Sequence, residues 1–219
     1  MKKLLTSMFA LAVVSAATGA FAQDTKGDAK AGEKKIAMCI GCHGIAGYQA
    51  SFPEVYKVPK ISGQSEKFIV SALNAYKKGE RKHPTMRGIA DSLSDKDIAD
   101  VAAYYSAHGV VAGYTAPKST EPSAKVAELI KKGNCASCHG DNLNDPKIPD
   151  APKLAGQHAD YLFVALKSYK QEKSAVWGRS NGVMGGIAKQ YSNTELKELA
   201  KYVASQEGEL KTIAQSRFR

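Results

Sequence analysis

Cys39-Ile40-Gly41-Cys42-His43 and Cys135-Ala136-Ser137-Cys138-His139 are two copies of one pattern, and together they use all four cysteines of the 219-residue chain. C-x-x-C-H is the attachment signature of c-type haem. The two thiols lie one helical turn apart, so each can form a thioether with a vinyl group of the same porphyrin. The adjoining histidine then lies under the ring, where its imidazole can coordinate the iron. Three other readings use the same residues. A structural zinc site finds Cys-Cys-His in each copy but no obvious fourth ligand nearby. A redox dithiol wants a strand–turn–helix setting, which neither copy has. Two disulfides leave the paired histidines unexplained. Two covalent haem c groups, on Cys39 and Cys42 with His43 and on Cys135 and Cys138 with His139, account for every residue of both copies.

Residues 1–22 read as an export signal: Lys2 and Lys3, an apolar stretch from Leu4 to Ala17, then Ala20-Phe21-Ala22 as a cleavage site. The apolar stretch is shorter than the ~20 residues a bilayer span needs, and no later segment is apolar for long enough. Export places the mature chain in the periplasm. The remaining 197 residues suit one large or two small domains. An internal repeat decides for two. Cys39 maps to Cys135 at an offset of 96, Pro59-Lys60-Ile61-Ser62-Gly63-Gln64 to Pro152-Lys153-Leu154-Ala155-Gly156-Gln157 at 93, and Met86-Arg87-Gly88-Ile89-Ala90 to Met184-Gly185-Gly186-Ile187-Ala188 at 98. Units of this length suit a duplicated domain better than a solenoid. The expected division is 23–110, a linker at 111–121 inside a Gly-, Pro-, Ser- and Thr-rich stretch, and 122–219.

Each half reads as all-α, about three main helices around a haem, with no convincing strand. In the first, Asp28 to Met38 runs into the Cys39 motif. Phe68, Ile69, Ala72, Leu73 and Tyr76 then recur at helical spacing, and Ser94-Asp95-Lys96-Asp97 reads as a capping box. In the second, Pro122 suits the first turn of the opening helix, Tyr161 to Tyr169 repeats the middle one, and Ser192-Asn193-Thr194-Glu195 is the matching capping box. Domains this small bury little apolar area unaided, and a covalent porphyrin supplies the missing core.

After the signal the chain has three methionines, Met38, Met86 and Met184. Met38 adjoins Cys39 and reads as packing. Met86 and Met184 stand 43 and 45 residues after His43 and His139, each in a Gly-rich, non-helical approach ending in Gly-Ile-Ala. They are the candidate sixth ligands, thioethers that raise the reduction potential. His83 is a weaker rival without a counterpart in the second half. His108 reads as a helix end, and His158 as an exposed helix start. Pro59 and Pro152 are expected to buttress the histidines, with a neighbouring carbonyl accepting the imidazole proton. Tyr105 and Tyr202 read as core residues packing the last helix of each half on the first. Gln64, Gln157, Arg87 and Trp177 are candidates for contacts to haem propionates.

These motifs resemble the cytochrome c4 family, dihaem proteins built from two class I cytochrome c domains, over essentially the whole mature chain. The resemblance implies His43 with Met86, and His139 with Met184, as axial pairs. It implies halves related by a pseudo-two-fold, with propionates approaching across the domain contact. It also implies a respiratory electron carrier, running from a quinol-oxidising complex to a terminal oxidase. A Gly47 to Val58 insertion and the Glu172 to Arg179 segment depart from the pattern and concern loop-level partner contacts.

With both axial positions filled by protein, neither iron offers a substrate an open site, so one-electron transfer is expected and not catalysis. The runner-up is a dihaem peroxidase or the cytochrome subunit of a periplasmic dehydrogenase, and a haem-based gas sensor is a third class. The mature chain carries 29 basic and 21 acidic residues, a net +8, divided as +3 over 23–111 and +5 over 112–219. That charge steers the protein towards acidic docking faces and allows association with an anionic membrane surface. Nucleic acid is a poor explanation, because the chain is exported and its lysines are dispersed.

Overall fold

The computed structural model describes residues 26–171 and 173–214. The export segment expected at 1–22 lies outside the described residues. Where three helices per half were expected, five form in each half of the described chain. The first half has α1 (Ala29–Glu33), α2 (Ala37–His43), α3 (Glu66–Lys78), α4 (Pro84–Asp91) and α5 (Asp95–Ala107). The second has α6 (Ala124–Gly133), α7 (Ala136–His139), α8 (Ala159–Ser168), α9 (Gly182–Ala188) and α10 (Asn193–Ser205). The extra helices are short. The opening helix of the first half breaks at Lys34 to Ile36 into α1 and α2. That of the second half closes on Asn134 in the left-handed region, φ 48°, before the motif begins.

Both capping boxes form. The Ser94 hydroxyl accepts from the Asp97 amide while the Asp97 carboxylate accepts from the Ser94 amide, and Ser192 and Glu195 repeat the arrangement. Pro122 misses the first turn of its helix: Ser123 caps α6 with its own hydroxyl. The apolar spacing produces two cores. Ile36, Ile40, Ile69, Leu73, Ile98, Val101 and Tyr105 fill the first, and Leu129, Tyr191, Leu196 and Leu199 the second. Helix α1 lies against α5 so closely that a Cβ at Gly32 would stand 2.0 Å from the Asp100 carbonyl oxygen. Only glycine fits there.

Four two-residue strands also form, against expectation. β1 (Gln49–Ala50) pairs antiparallel with β2 (Tyr56–Lys57) inside the Gly47 to Val58 insertion. That hairpin docks on the second half: the Lys57 amide donates to Asp160 Oδ2 at 3.0 Å and Lys167 Nζ pairs with Glu54 at 2.6 Å. β3 (Arg81–Lys82) and β4 (Gly178–Arg179) come one from each half and pair antiparallel, Arg81 opposite Arg179. Those two residues are 98 apart, the same offset as Met86 and Met184. The pseudo-two-fold therefore passes between them.

The pseudo-two-fold also orders the Pro-Lys-x-x-Gly-Gln turns. The Gln64 amide bonds both backbone groups of Lys153, accepting from its N–H at 2.8 Å and donating to its carbonyl at 3.0 Å. Gln157 does the same to Lys60, at 3.0 and 2.9 Å. Both glutamines are buried. Finally, the segment after α10 returns over the first half, where the Lys211 amide donates to the Ser62 carbonyl at 3.0 Å and Leu210 is buried.

Candidate functional site

Cys39 and Cys42 sit on α2 at i and i+3, so they share a face of that helix, and His43 ends it. In the second half Cys135 caps α7, and Cys138 and His139 complete its single turn. All four cysteines are free thiols, half-buried. Burial pushes the Cys39 thiol up to about 11 and raises Cys135 as well. A disulfide framework does not account for them. Among the described residues no group of three or more His, Cys, Asp and Glu side chains is arranged to hold a metal ion, so the zinc reading lacks its donor set.

Both histidines are fixed in one tautomer. His43 Nδ1 lies 2.8 Å from the Pro59 carbonyl oxygen and His139 Nδ1 lies 3.0 Å from that of Pro152. A carbonyl only accepts, so Nδ1 carries the proton and Nε2 keeps its lone pair. Burial holds both imidazoles below their ordinary range, hence neutral. This is the state a metal ligand needs, and the second hydrogen bond also sets the ring's orientation. The proline carbonyls accept the proton as the sequence suggested.

Met86 and Met184 lie in the first turns of α4 and α9, contrary to the non-helical approach expected from the nearby glycines. The reason is capping. His83 Nδ1 accepts from the Met86 amide at 3.4 Å, and Asn181 Oδ1 accepts from the Met184 amide at 2.9 Å. His83 and Asn181 are 98 apart, so His83 does have a positional counterpart, and their shared work is to start the methionine helix. The other nitrogen of His83 lies 3.1 Å from the Tyr56 hydroxyl. Both methionines are half-buried, and Met86 packs on the same core cluster as Cys39.

The remaining expectations divide. His108 caps the end of α5 and meets the Ser62 hydroxyl at 2.9 Å. His158 is half-buried at the start of α8, not exposed. Tyr105 is a core residue, and its buried hydroxyl has no hydrogen-bond partner. Tyr202 instead donates to the Thr120 carbonyl at 2.9 Å, tying α10 to the inter-domain segment. The side-chain amides of Gln64 and Gln157 are committed to the clasp between the halves. Arg87 is exposed and paired with Asp91, and Trp177 is half-buried. Sequence reasoning passed over Arg81 and Arg179, which meet between the halves; their offset of 98 could have found them.

The donor set fits a covalently held haem in each half. It offers two free thiols on one turn, a neutral imidazole with Nε2 unprotonated and a methionine held at a helix start, and in the first half alone the buried, unpartnered hydroxyl of Tyr105 on the core cluster that Cys39 packs against.

A family model described as cytochrome c matches residues 29–107 and again 123–207. The chain is 32% identical over 194 residues to cytochrome c4 of Stutzerimonas stutzeri, covering 81% of this chain and 88% of that protein. It is 29% identical over 188 residues to the thiosulfate dehydrogenase electron acceptor of S. stutzeri strain A1501, covering 83% of each. Its fold superposes on the crystal structure of reduced recombinant cytochrome c4 from Pseudomonas stutzeri with a TM-score of 0.61 and 30% identity, covering 83% of this chain and 100% of that one.

Proposed function

Because the chain belongs to the cytochrome c family and is a dihaem electron-transfer protein, we propose that it carries single electrons in the periplasm between a quinol-oxidising complex and a terminal oxidase. Its domains are taken as 23–110 and 122–219, joined by 111–121, after removal of 1–22. Cys39 and Cys42 would hold one haem, with His43 and Met86 axial. Cys135 and Cys138 would hold the other, with His139 and Met184 axial. When bound, each haem would supply an iron that cycles between the ferric and ferrous states.

The observation that carries this reading is the matched pair of imidazoles, each donating Nδ1–H to a proline carbonyl and so presenting Nε2 as a fixed donor. The capped starts of α4 and α9 hold the backbone of each methionine in place, so either thioether would be offered from a fixed position. Filling both axial positions with protein denies peroxide or dioxygen an open coordination site. No helix of the described residues is long and apolar enough to cross a membrane. The net charge of the mature chain would steer it towards acidic faces.

A redox titration followed by optical and magnetic spectra tests this directly. Two haems per chain, each with a sulfur-to-ferric-iron band unaffected by cyanide, are expected. A pentacoordinate iron at rest would sink the axial assignment. A second reading keeps the chemistry and changes the donor: the relative named as a thiosulfate dehydrogenase electron acceptor favours a dehydrogenase as the source of electrons. Faster reduction by such an enzyme than by a quinol-oxidising complex would select it.

A further inference from the structure

His83 caps α4 at the turn that carries Met86, yet the ring owes its placement to the β1–β2 hairpin. Its Nδ1 accepts from the Met86 amide at 3.4 Å. In the neutral imidazole Nε2 then carries the proton, and it donates to the Tyr56 hydroxyl at 3.1 Å. Tyr56 is buried on β2. Phe52, between the two strands, sets its ring edge-on to the imidazole at 6.0 Å and bonds it through its backbone. The hairpin is in turn fastened to α8 of the second half. Asp160 accepts from the Lys57 amide at 3.0 Å, Lys167 pairs with Glu54 at 2.6 Å, and the Tyr161 ring lies 6.1 Å from that of Tyr56. A continuous path of contacts thus runs from α8 through the hairpin and His83 to the backbone of Met86. The other methionine has a shorter arrangement. Asn181 caps α9 with its own side chain, accepting from the Met184 amide at 2.9 Å, and the stretch that matches the hairpin, 140–151, forms no strand. Asparagine is among the strongest N-caps and needs no second partner to act as one.

We propose that Tyr56 and His83 are positioning residues for Met86, through which the docking of the second half onto the hairpin governs how firmly the first haem keeps its thioether ligand. Met184 is held without such help. This rests on the axial assignment made above. Helix ends open more readily than helix centres, and Met86 lies in the first turn of a helix of eight residues. The amide it gives to His83 is one of the first-turn donors that the helix itself leaves unpaired. A cap that loosens lets that turn open and carry the thioether away from its axial position. A hairpin that comes off α8 loosens this cap and leaves the one on α9 as it was. The two halves therefore differ in kind: the first methionine senses whether the domains are docked, and the second does not.

The intact protein with both haems loaded is compared with Tyr56→Phe, Asp160→Ala, His83→Asn and the double variant Tyr56→Phe/His83→Asn. Hydrogen exchange is read at the Met86 and Met184 amides. The sulfur-to-iron band of each haem is followed on heating, with Met86→His to assign the first. Tyr56→Phe should speed exchange at Met86 about fivefold, the worth of one net hydrogen bond, and leave Met184 unchanged. The first band should then fade at a lower temperature than in the wild type while the second holds. Asp160→Ala, which alters neither His83 nor Met86, should act in the same direction. His83→Asn copies the second half, so adding Tyr56→Phe to it should change nothing at Met86. If His83→Asn fails to load haem, Tyr56→Phe and Asp160→Ala carry the test. Four results would each overturn the proposal: unchanged exchange at Met86 in Tyr56→Phe or Asp160→Ala, equal effects at both methionines, a first band that keeps its heat resistance, or a Tyr56→Phe effect that persists in the His83→Asn background. A wild type without a sulfur-to-iron band at the first haem overturns the axial assignment, and the proposal with it.

Discussion

A thioether is a weak ligand, so its usefulness depends on how firmly its backbone is held. His83 and Asn181 hold it, each accepting the amide of the methionine three residues on. The second-half cap is the shorter bond. Replacing Met86 or Met184 by His should lower the potential of that haem alone, because imidazole stabilises ferric iron more than a thioether does. The sulfur-to-iron band of that haem should vanish in the same sample. An unchanged potential would mean that the sulfur is not bound. The candidate ligands stand out in the sequence because each has a chemical signature and a counterpart at a near-constant offset. Arg81 and Arg179 share the offset of the methionines but belong to no motif, and only the pairing of β3 with β4 reveals what they face. Gln64 and Gln157 misled for the opposite reason. A buried amide in a repeated turn suggests a ligand, yet the groups it satisfies are backbone atoms of the other half.

Helix ends were read better than helix interruptions. Both capping boxes form because a Ser hydroxyl and an acidic residue three positions on satisfy two orphan amides at once. The glycines around Met86 and Met184 suggested irregular chain, but intrinsic propensity is a weak prior when a side-chain cap and tertiary packing favour the helix. The break between α1 and α2 carries no proline, and sequence gave no sign of it. The join of α1 to α5 depends on one buried carboxylate. Asp100 accepts from the Asp28 amide at 2.7 Å and from Lys35 Nζ at 2.7 Å, and pairs with Lys96 as well. Burial pushes its carboxyl up, yet these partners outweigh burial and hold it at about 2, below the ordinary 3.8. A folded value below the unfolded one means that its stabilisation is present above about pH 4 and is lost as pH falls towards 2. Asp100→Asn should cost about 1–3 kcal/mol at neutral pH, the range for leaving buried partners unsatisfied. Thermal melts should show that gap between variant and wild type closing on acidification; a constant gap would contradict the assignment.

At the scale of the molecule, the repeat announced two domains but not how they join. The join is made by glutamine side chains on backbone groups of the other half, which no side-chain pattern records, and by a hairpin in the insertion where the sequence departs from the family pattern. Deleting one glutamine amide leaves a buried N–H and a buried C=O of the opposite lysine without partners, at about 1–3 kcal/mol for each unsatisfied group. Gln64→Ala should therefore speed hydrogen exchange at the Lys153 amide and Gln157→Ala that at Lys60, with the haem spectra unchanged. Equal protection in variant and wild type would show that the clasp contributes nothing. Because each glutamine bonds the lysine that matches its own half's lysine, the face is complementary to its own duplicate. A half severed from its twin would expose both a lysine backbone and a glutamine amide in the right places to bind another copy of itself. Two such fragments could close isologously, which makes self-association the natural fate of either fragment and the covalent tether the means of ensuring that unlike halves meet.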